Sequence, residues 1–514
     1  LTRTRVFSLA TMPDIADHCV FPQAEGWPEM SDRFPVVPLT TMLEVMAGAA
    51  RELVPEAAVT GISQVRAARW LAVVPATNAP VHATRGGVAP GGEILVKVQI
   101  EGYASGVVHL SGDGYPPAPE PSRQPLENPR PAPVGARELY EDDWMFHGPR
   151  FAGVVDIDSV GDDGITGTLT NLPAQGALLD SAGQLIGHWM QVSRTVDQTV
   201  LPTGIRAVRF HGPTPPAGGR LACTAWIREV TDTEMRADAE LRDGDGRVWC
   251  RIEGWTTRRF ATDDRIWKMK FRPQRDTLSE PRPGGWCVVR ERWPDTGSRE
   301  LMMRRYLNAA ERPRYEELTP NTRRQWLLGR IAAKDAVRHR LWGLGAGPIY
   351  PAEVTVDNDD QGRPRASGAF RATYVSLAHC AGRGRSPGIA VALAGPAPVG
   401  IDIEAVSERD PGTEEIALTD AERAHLDRLP GGDRAAWFAR LWTAKEAVAK
   451  SIGTGFSGRP RAFEVRVSTA APDDDLALVV TAPDGSAHHV ISTVITHEAT
   501  AYAVAWTYGK DSNE

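Results

Sequence analysis

The sequence predicts an α+β protein in two parts: a helix-and-strand unit that occurs twice, then a longer unit of short strands mixed with clear helices. Three observations carry this. One long helix candidate followed by a meander of strand-like runs appears on each side of a proline-rich break. From about Asp263 the texture changes, with a second breaker-rich stretch leading into the mixed region. Finally, 514 residues with 42% hydrophobic content suit several cores, since roughly 150 residues per domain implies three or four.

Taken in order, "LTTMLEVMAGAARELV" (Leu39 to Val54) reads as a helix, and "GEILVKVQIEGY" and "ASGVVHLSG" alternate as strands do. The stretch "SGDGYPPAPEPSRQPLENPRPAPVGA" holds too many prolines for a helix or a central strand. After it the order repeats: "GALLDSAGQLIGHWMQ" is a helix, and "GRLACTAWIREV", "EMRADAELRD" and "RVWCRIEGWTTRRF" are strands. A helix wrapped in antiparallel sheet and duplicated is a double hot-dog pattern. Beyond "RPQRDTLSEPRPGG" come three helices, Thr322 to Trp342, "TDAERAHLDRL" and "RAAWFARLWTAKEAVAKSIG". The expected boundaries are 1–118 and 137–265 for the two halves, 119–136 and 266–284 for linkers, and 285–514 for the last domain.

Lysine and arginine total 58 against 65 acids, a net charge of −7, so no global attraction to nucleic acid or an anionic membrane is expected. The five cysteines are odd in number, scattered and never spaced as CxxC, which argues against a disulfide framework or structural zinc and for a reducing cytoplasm. No apolar run has the roughly 18 to 20 residues of a membrane span, nor does the start resemble a signal peptide. Because the first residue is Leu1, a segment of a longer polypeptide is expected.

In "PVGIDIEAVS" two carboxylates, Asp402 and Glu404, lie two apart on an otherwise mostly apolar strand and so share a face. Adjacent carboxylates repel unless a cation separates them, and hard oxygen ligands suit Mg²⁺. The bland alternative is an edge strand with one solvated face. In "LWTAKEAVAK", Trp442, Glu446 and Lys450 fall on one helix face with Lys445 beside Glu446; alone, Glu446 and Lys450 would be a surface pair worth about 0.3 to 0.5 kcal/mol. "SLAHC" ends a strand on His379, "GRPR" puts Arg363 and Arg365 on a turn, and Arg330, Lys334 and Arg338 form a basic stripe whose default reading is solvation.

In this order, "GRPR", "SLAHC", "VGIDIE" and "LWTAKEAVAK" resemble the larger, pseudo-duplicated 4′-phosphopantetheinyl transferases that act on polyketide and peptide synthetases. The resemblance runs from Trp286 to about Tyr508 and departs at Ala378, where the family has serine. It implies that Asp402, Glu404 and Glu446 hold Mg²⁺ on the pyrophosphate of coenzyme A. It implies too that His379, Arg363 and Lys450 neutralise phosphate, that Arg330 and Lys334 lie near the nucleotide end, and that Lys445 belongs to the coenzyme-binding set. Phosphoryl transfer needs positioning and charge neutralisation plus a base for the attacking serine; Glu446 is the expected base.

Toward the N-terminus, His18 follows a strand-like run, Pro38 precedes the first helix, "FHGPRFAG" opens the second half, and "LLDSAGQ" brings Asp180 and Gln184 into its helix as i, i+4 neighbours. Singly, Asp180 reads as an N-cap and His18 as a loop residue. Together they resemble polyketide synthase dehydratase domains over about Leu1 to Phe260, with an insertion, "PQAEGWPEMSDRF", lengthening the family's spacing between His18 and Pro38. The resemblance implies that His18 removes the α-proton of a β-hydroxyacyl thioester, while Asp180, kept protonated and oriented by Gln184, protonates the departing hydroxyl. The two parts in tandem resemble the C-terminal end of an enediyne-type iterative polyketide synthase. The implied partners are an acyl carrier protein domain and its thioester-bound intermediate, with a homodimer through the dehydratase. The alternatives for the hot-dog part are a thioesterase and a non-catalytic carrier-docking scaffold.

Overall fold

A computed structural model of the chain describes all residues except 294, 361, 381–387, 430–432, 471–474 and 509–514, and the side chains of 469 and 470. It divides into two compact units, Leu1–Phe271 and Arg272–Glu514. Among the described residues no helix is long and apolar enough to cross a membrane.

In the first unit eleven strands form one antiparallel sheet, with two long helices packed in its core: α1 (Leu39–Leu53) and α2 (Ala177–Ser193). This is the double hot dog expected from the repeated pattern. The halves join where β1 (Ala58–Ala67) pairs with β2 (Thr199–Phe210), Ile62 facing Val208 and Val65 facing Ile205. Helix α1 has no side-chain cap, a feature worth about 1 kcal/mol. Burial of Leu39, Met42, Leu43, Val45 and Met46, at about 1.5–3 kcal/mol for a Leu, Val or Met, easily outweighs that loss.

The two helices meet at their N-termini. Thr41 Oγ1 donates to the Gln175 carbonyl over 2.6 Å. Gly176 lies at φ 82°, and a Cβ there would stand 2.6 Å from the Thr41 amide nitrogen, so a larger residue would push the helix starts apart. The stretch 119–136 is bonded onto the second half: the Ser122 amide donates to Glu240, Trp226 donates to the Gln124 carbonyl, and Arg130 bridges Val160.

The second unit has a six-stranded and a five-stranded sheet and two principal helices, α3 (Pro320–Gly343) and α4 (Arg434–Ile452). Its halves repeat one buried device. Lys334 on α3 pairs with Glu311, which also accepts from the Val356 amide; Lys445 on α4 pairs with Glu422, which accepts from the Val465 amide. The lysines and glutamates correspond at the one offset that aligns "AAKDAV" with "TAKEAV", with Asp335 standing where the second half has Glu446. Asp335 is sealed by Arg338 at 3.1 Å, Ser279 at 2.8 Å and Tyr306.

This corrects the reading of the basic stripe. Arg330, Lys334 and Arg338 are buried, not solvated. The Lys334 ammonium meets Glu311 and the carbonyls of Tyr306 and Pro351, which uses all three of its donors. Lys445, also fully buried, donates to Glu422 at 2.7 Å and the Ala417 carbonyl at 2.8 Å. Both lysines, expected to bind coenzyme, tie helices to strands instead. Replacing Lys334 with Met leaves Glu311 buried and unpaired, so Lys334→Met is expected to cost about 3–5 kcal/mol of stability, read by denaturant unfolding.

Candidate active sites

In the first unit the extra residues after His18 leave and return at one place. Val20 and Phe21 donate to the carbonyls of Phe34 and Arg33, and the Val36 amide donates to the His18 carbonyl at 3.2 Å. His18 Nδ1 lies 2.7 Å from the Val36 carbonyl; with its proton there, Nε2 keeps a free lone pair. The rings of Phe146 and Phe151 stand edge-on to the imidazole at 5.0 and 5.4 Å.

Asp180 sits in the first turn of α2. Its Oδ2 accepts from Gln184 Nε2 at 2.9 Å and lies 3.2 Å from His147 Nε2. Gln184 is itself fixed, donating to the Phe151 carbonyl at 2.8 Å and accepting from the Tyr140 hydroxyl at 2.7 Å. The structure thus brings His18, Asp180 and Gln184 together and adds two residues that sequence reasoning passed over, His147 and Tyr140. The signal for His147 was in "FHGPRFAG", but nothing local shows that it meets His18 in an isolated β-bridge. Gly148 permits that approach, since a Cβ there would lie 2.9 Å from the Asp17 side chain.

Burial, then the neighbouring His147, lowers the His18 pKa to about 4, so the ring is neutral and able to accept a proton. Burial opposes the charge on Asp180, but His147, His18 and Gln184 outweigh it and hold the carboxyl below its usual range. The expectation has an apolar channel keep Asp180 protonated; burial does act that way, but the neighbouring imidazoles and the Gln184 amide pull toward the carboxylate.

His188, two turns further along α2, is also lowered to about 4, chiefly by burial. Below pH 6.5 the unfolded chain protonates these two histidines while the folded chain does not, so stability rises with pH in that range. Their contribution is complete above 6.5 and is lost as pH falls toward 4, at most about 3 kcal/mol each. Thermal melts of the protein between these pH values should show the decline, and His188→Leu should flatten it.

In the second unit β3 (Ile401–Ala405) carries Asp402 and Glu404, and α4 carries Glu446 and Lys450. Gly400 lets them meet, because a Cβ there would fall 1.7 Å from the Ala447 carbonyl of α4. Lys450 Nζ donates to Asp402 Oδ1 at 2.7 Å and reaches the carbonyls of Leu377 and Ile401. Glu404 pairs with Arg409. Burial raises the Asp402 pKa, opposed by Lys450 and reinforced by Glu404; burial and then Asp402 raise that of Glu446.

His379 sits at the end of its strand, where crowding and the Lys450 charge lower its pKa. Arg363 is held by Asp359 at 3.2 Å and packs on Gly453, which ends α4 at φ 79°. Arg330 lies over Trp326 at 4.6 Å, with burial lowering its pKa and Glu311 and Asp357 opposing. Asp402, Glu404, Glu446, Lys450 and His379 thus form one electrostatic neighbourhood, while Lys334 and Lys445 do not join it. Among the described residues, the group of three ligand-type side chains whose donor atoms all lie within 4.8 Å of one another is His18, His147 and Asp180; the Asp402, Glu404 and Glu446 set is more open.

Residues 398–506 match the family profile "4'-phosphopantetheinyl transferase superfamily". A holo-[acyl-carrier-protein] synthase of Streptococcus sanguinis is 36% identical over 81 residues, 15% of this chain and 67% of that protein. The chain belongs to the 4′-phosphopantetheinyl transferase superfamily. Another holo-[acyl-carrier-protein] synthase, from Gluconobacter oxydans, is 52% identical over 40 residues, 8% of this chain, and the chain spans only 26% of that protein's length. Residues 118–265 match "Polyketide synthase dehydratase N-terminal domain", a region that contains Asp180 and His147 but not His18. The dehydratase domain of a mycocerosic acid synthase-like polyketide synthase aligns at 20% identity and TM-score 0.37, covering 51% of this chain and 91% of that one. The two family matches place a polyketide synthase dehydratase domain and a phosphopantetheinyl transferase domain, both of enzymatic families, in one chain.

Proposed function

We propose that the transferase unit moves 4′-phosphopantetheine from coenzyme A to a serine of an acyl carrier protein, and that the dehydratase unit converts a β-hydroxyacyl thioester on such a carrier to the enoyl thioester. The observation that carries the first part is the convergence of Asp402, Glu404 and Glu446 beside Lys450 and His379. Two of these carboxyls are pushed up by burial and mutual repulsion, and all offer hard oxygen donors, a set that fits Mg²⁺. Bound there, Mg²⁺ would supply charge neutralisation for the pyrophosphate.

The chain's own groups do the rest. His379, close enough to feel the Lys450 charge, and Lys450 bind phosphate oxygens, with Arg363 packed on Gly453 at the end of α4. Glu446, whose pKa is raised by burial and then by Asp402, takes the serine proton as the hydroxyl attacks the phosphate. In the dehydratase, His18 Nε2 accepts the α-proton and the hydroxyl leaves as water with a proton delivered at the contact of Asp180 with His147, 3.2 Å apart. The pairing of a histidine from one half with an aspartate from the other supports dehydration over thioester hydrolysis.

The tandem arrangement supports placing this chain in an enediyne-type iterative polyketide synthase, acting in the cytoplasm on its own carrier domain and dimerising through the dehydratase. The test is mass spectrometry of an apo carrier incubated with the protein, coenzyme A and Mg²⁺. Gain of the phosphopantetheine mass, abolished by chelator, is expected; an unmodified carrier overturns the transferase reading.

A further inference from the structure

We propose that His18, His147 and Asp180 form a binding site for a divalent transition-metal ion of the Zn²⁺ class, and that occupancy arrests the dehydratase. The arrest rests on the dehydratase reading above; the binding does not. Donor atoms of all three residues lie within 4.8 Å of one another. Two ligands on one tetrahedral Zn²⁺, each at about 2.0–2.1 Å, stand roughly 3.3 Å apart. His147 Nε2 and Asp180 Oδ2, at 3.2 Å, already have that spacing, and His18, with a donor atom within 4.8 Å of both, closes the third side by a ring movement.

The surroundings are those of a prepared ligand set. His18 Nδ1 is engaged by the Val36 carbonyl at 2.7 Å, which presents Nε2 inward, the usual arrangement behind a ligating imidazole. Asp180 is oriented by Gln184, and Gln184 by Tyr140 and the Phe151 carbonyl. His147 turns Nε2 toward Asp180, and its side chain is only 6% exposed.

Two imidazoles and one carboxylate select against Mg²⁺ and Ca²⁺, which prefer all-oxygen shells, and favour Zn²⁺ or its neighbours. Three protein ligands leave one position of the tetrahedron open. The bound ion occupies the lone pair that His18 needs as base and takes the facing atoms of His147 and Asp180 as ligands, which leaves no place there for a transferable proton. Both halves of the proton machinery are then lost together.

The test uses the full chain stripped of metal and titrated with Co²⁺, whose visible absorption is intense in a nitrogen-containing four-coordinate site and pale in an octahedral oxygen site. Expected are an intense band that saturates at one ion per chain and bleaches with Zn²⁺. The band should persist in Glu446→Ala, which excludes the transferase carboxylates as its source, and vanish in His18→Asn and His147→Gln. Gln184→Ala should keep the band but weaken affinity by roughly 10- to 100-fold.

His147→Gln retains an amide beside Asp180, and melting curves matching the parent show that loss of the band reports loss of a ligand. Absence of the band, or its survival in both histidine variants, overturns the site. With the band present, equimolar Zn²⁺ should stop dehydration of a β-hydroxyacyl thioester and chelator should restore it; full turnover at saturating Zn²⁺ overturns the arrest. A protein that gives the band with Co²⁺ yet never dehydrates when stripped of metal refutes the dehydratase reading and leaves the metal site standing.

Discussion

Glu446→Ala and Asp402→Ala are each expected to abolish loading of an apo carrier from coenzyme A while the protein stays folded. Loss of the base at Glu446 is expected to cost ~10²- to 10⁴-fold, and loss of a metal carboxylate adds to it by leaving the pyrophosphate charge uncompensated. The two variants differ in what they leave behind. Asp402→Ala strips Lys450 of its 2.7 Å partner, so its ammonium turns to the carbonyls of Leu377 and Ile401, which it already reaches. Glu446→Ala removes a carboxyl whose pKa is raised by burial and then by Asp402, so it relieves repulsion on the strand and should not destabilise the unit. Time-resolved mass spectrometry of the carrier checks both. Normal loading by Asp402→Ala would refute the assignment of that residue to the metal.

His18→Ala is expected to reduce dehydration of a β-hydroxyacyl thioester by ~10²- to 10⁴-fold, with carrier loading unchanged because the transferase residues lie in the other unit. The effect is large because nothing else in the pocket can replace a neutral imidazole. His147 is engaged with Asp180 at 3.2 Å, and burial pushes the Tyr140 phenol well above its ordinary range, so it stays a donor. Product analysis distinguishes the readings. Enoyl product from the parent and none from His18→Ala supports dehydration, free acid from both points to a thioesterase, and an unchanged product profile favours a docking scaffold.

Much of this was legible in the sequence because it depends on short-range geometry. The period of "LTTMLEVMAGAAREL" and "ALLDSAGQLIGHWMQVS" located α1 and α2, and i, i+2 and i, i+4 spacing put Asp402 with Glu404, Asp180 with Gln184 and Glu446 with Lys450 on common faces. Gly400 shows where that legibility ends. It is visible as one glycine in "PVGIDIE", yet its reason, a helix carbonyl 1.7 Å from where its Cβ would be, is a contact between elements far apart in the chain. The same holds for His147, whose neighbour His18 is supplied by the other half of the double hot dog.

Lys334 and Lys445 mark the other boundary. Their spacing on α3 and α4 is that of a solvated or ligand-facing stripe, and no local rule tells a lysine that reaches a phosphate from one that is buried against a glutamate from an earlier part of the chain. The outcome depends on whether Glu311 and Glu422 arrive there, which packing alone decides. By itself the sequence determined the element types, the repeated helix-and-strand order of the first unit and the residues that share a strand or helix face, because these follow from backbone periodicity. Only the tertiary structure decided which charges are buried, which are paired, and whether Asp180 favours its ionised or its protonated form, because burial and ion pairing are set by neighbours that the chain brings together from a distance.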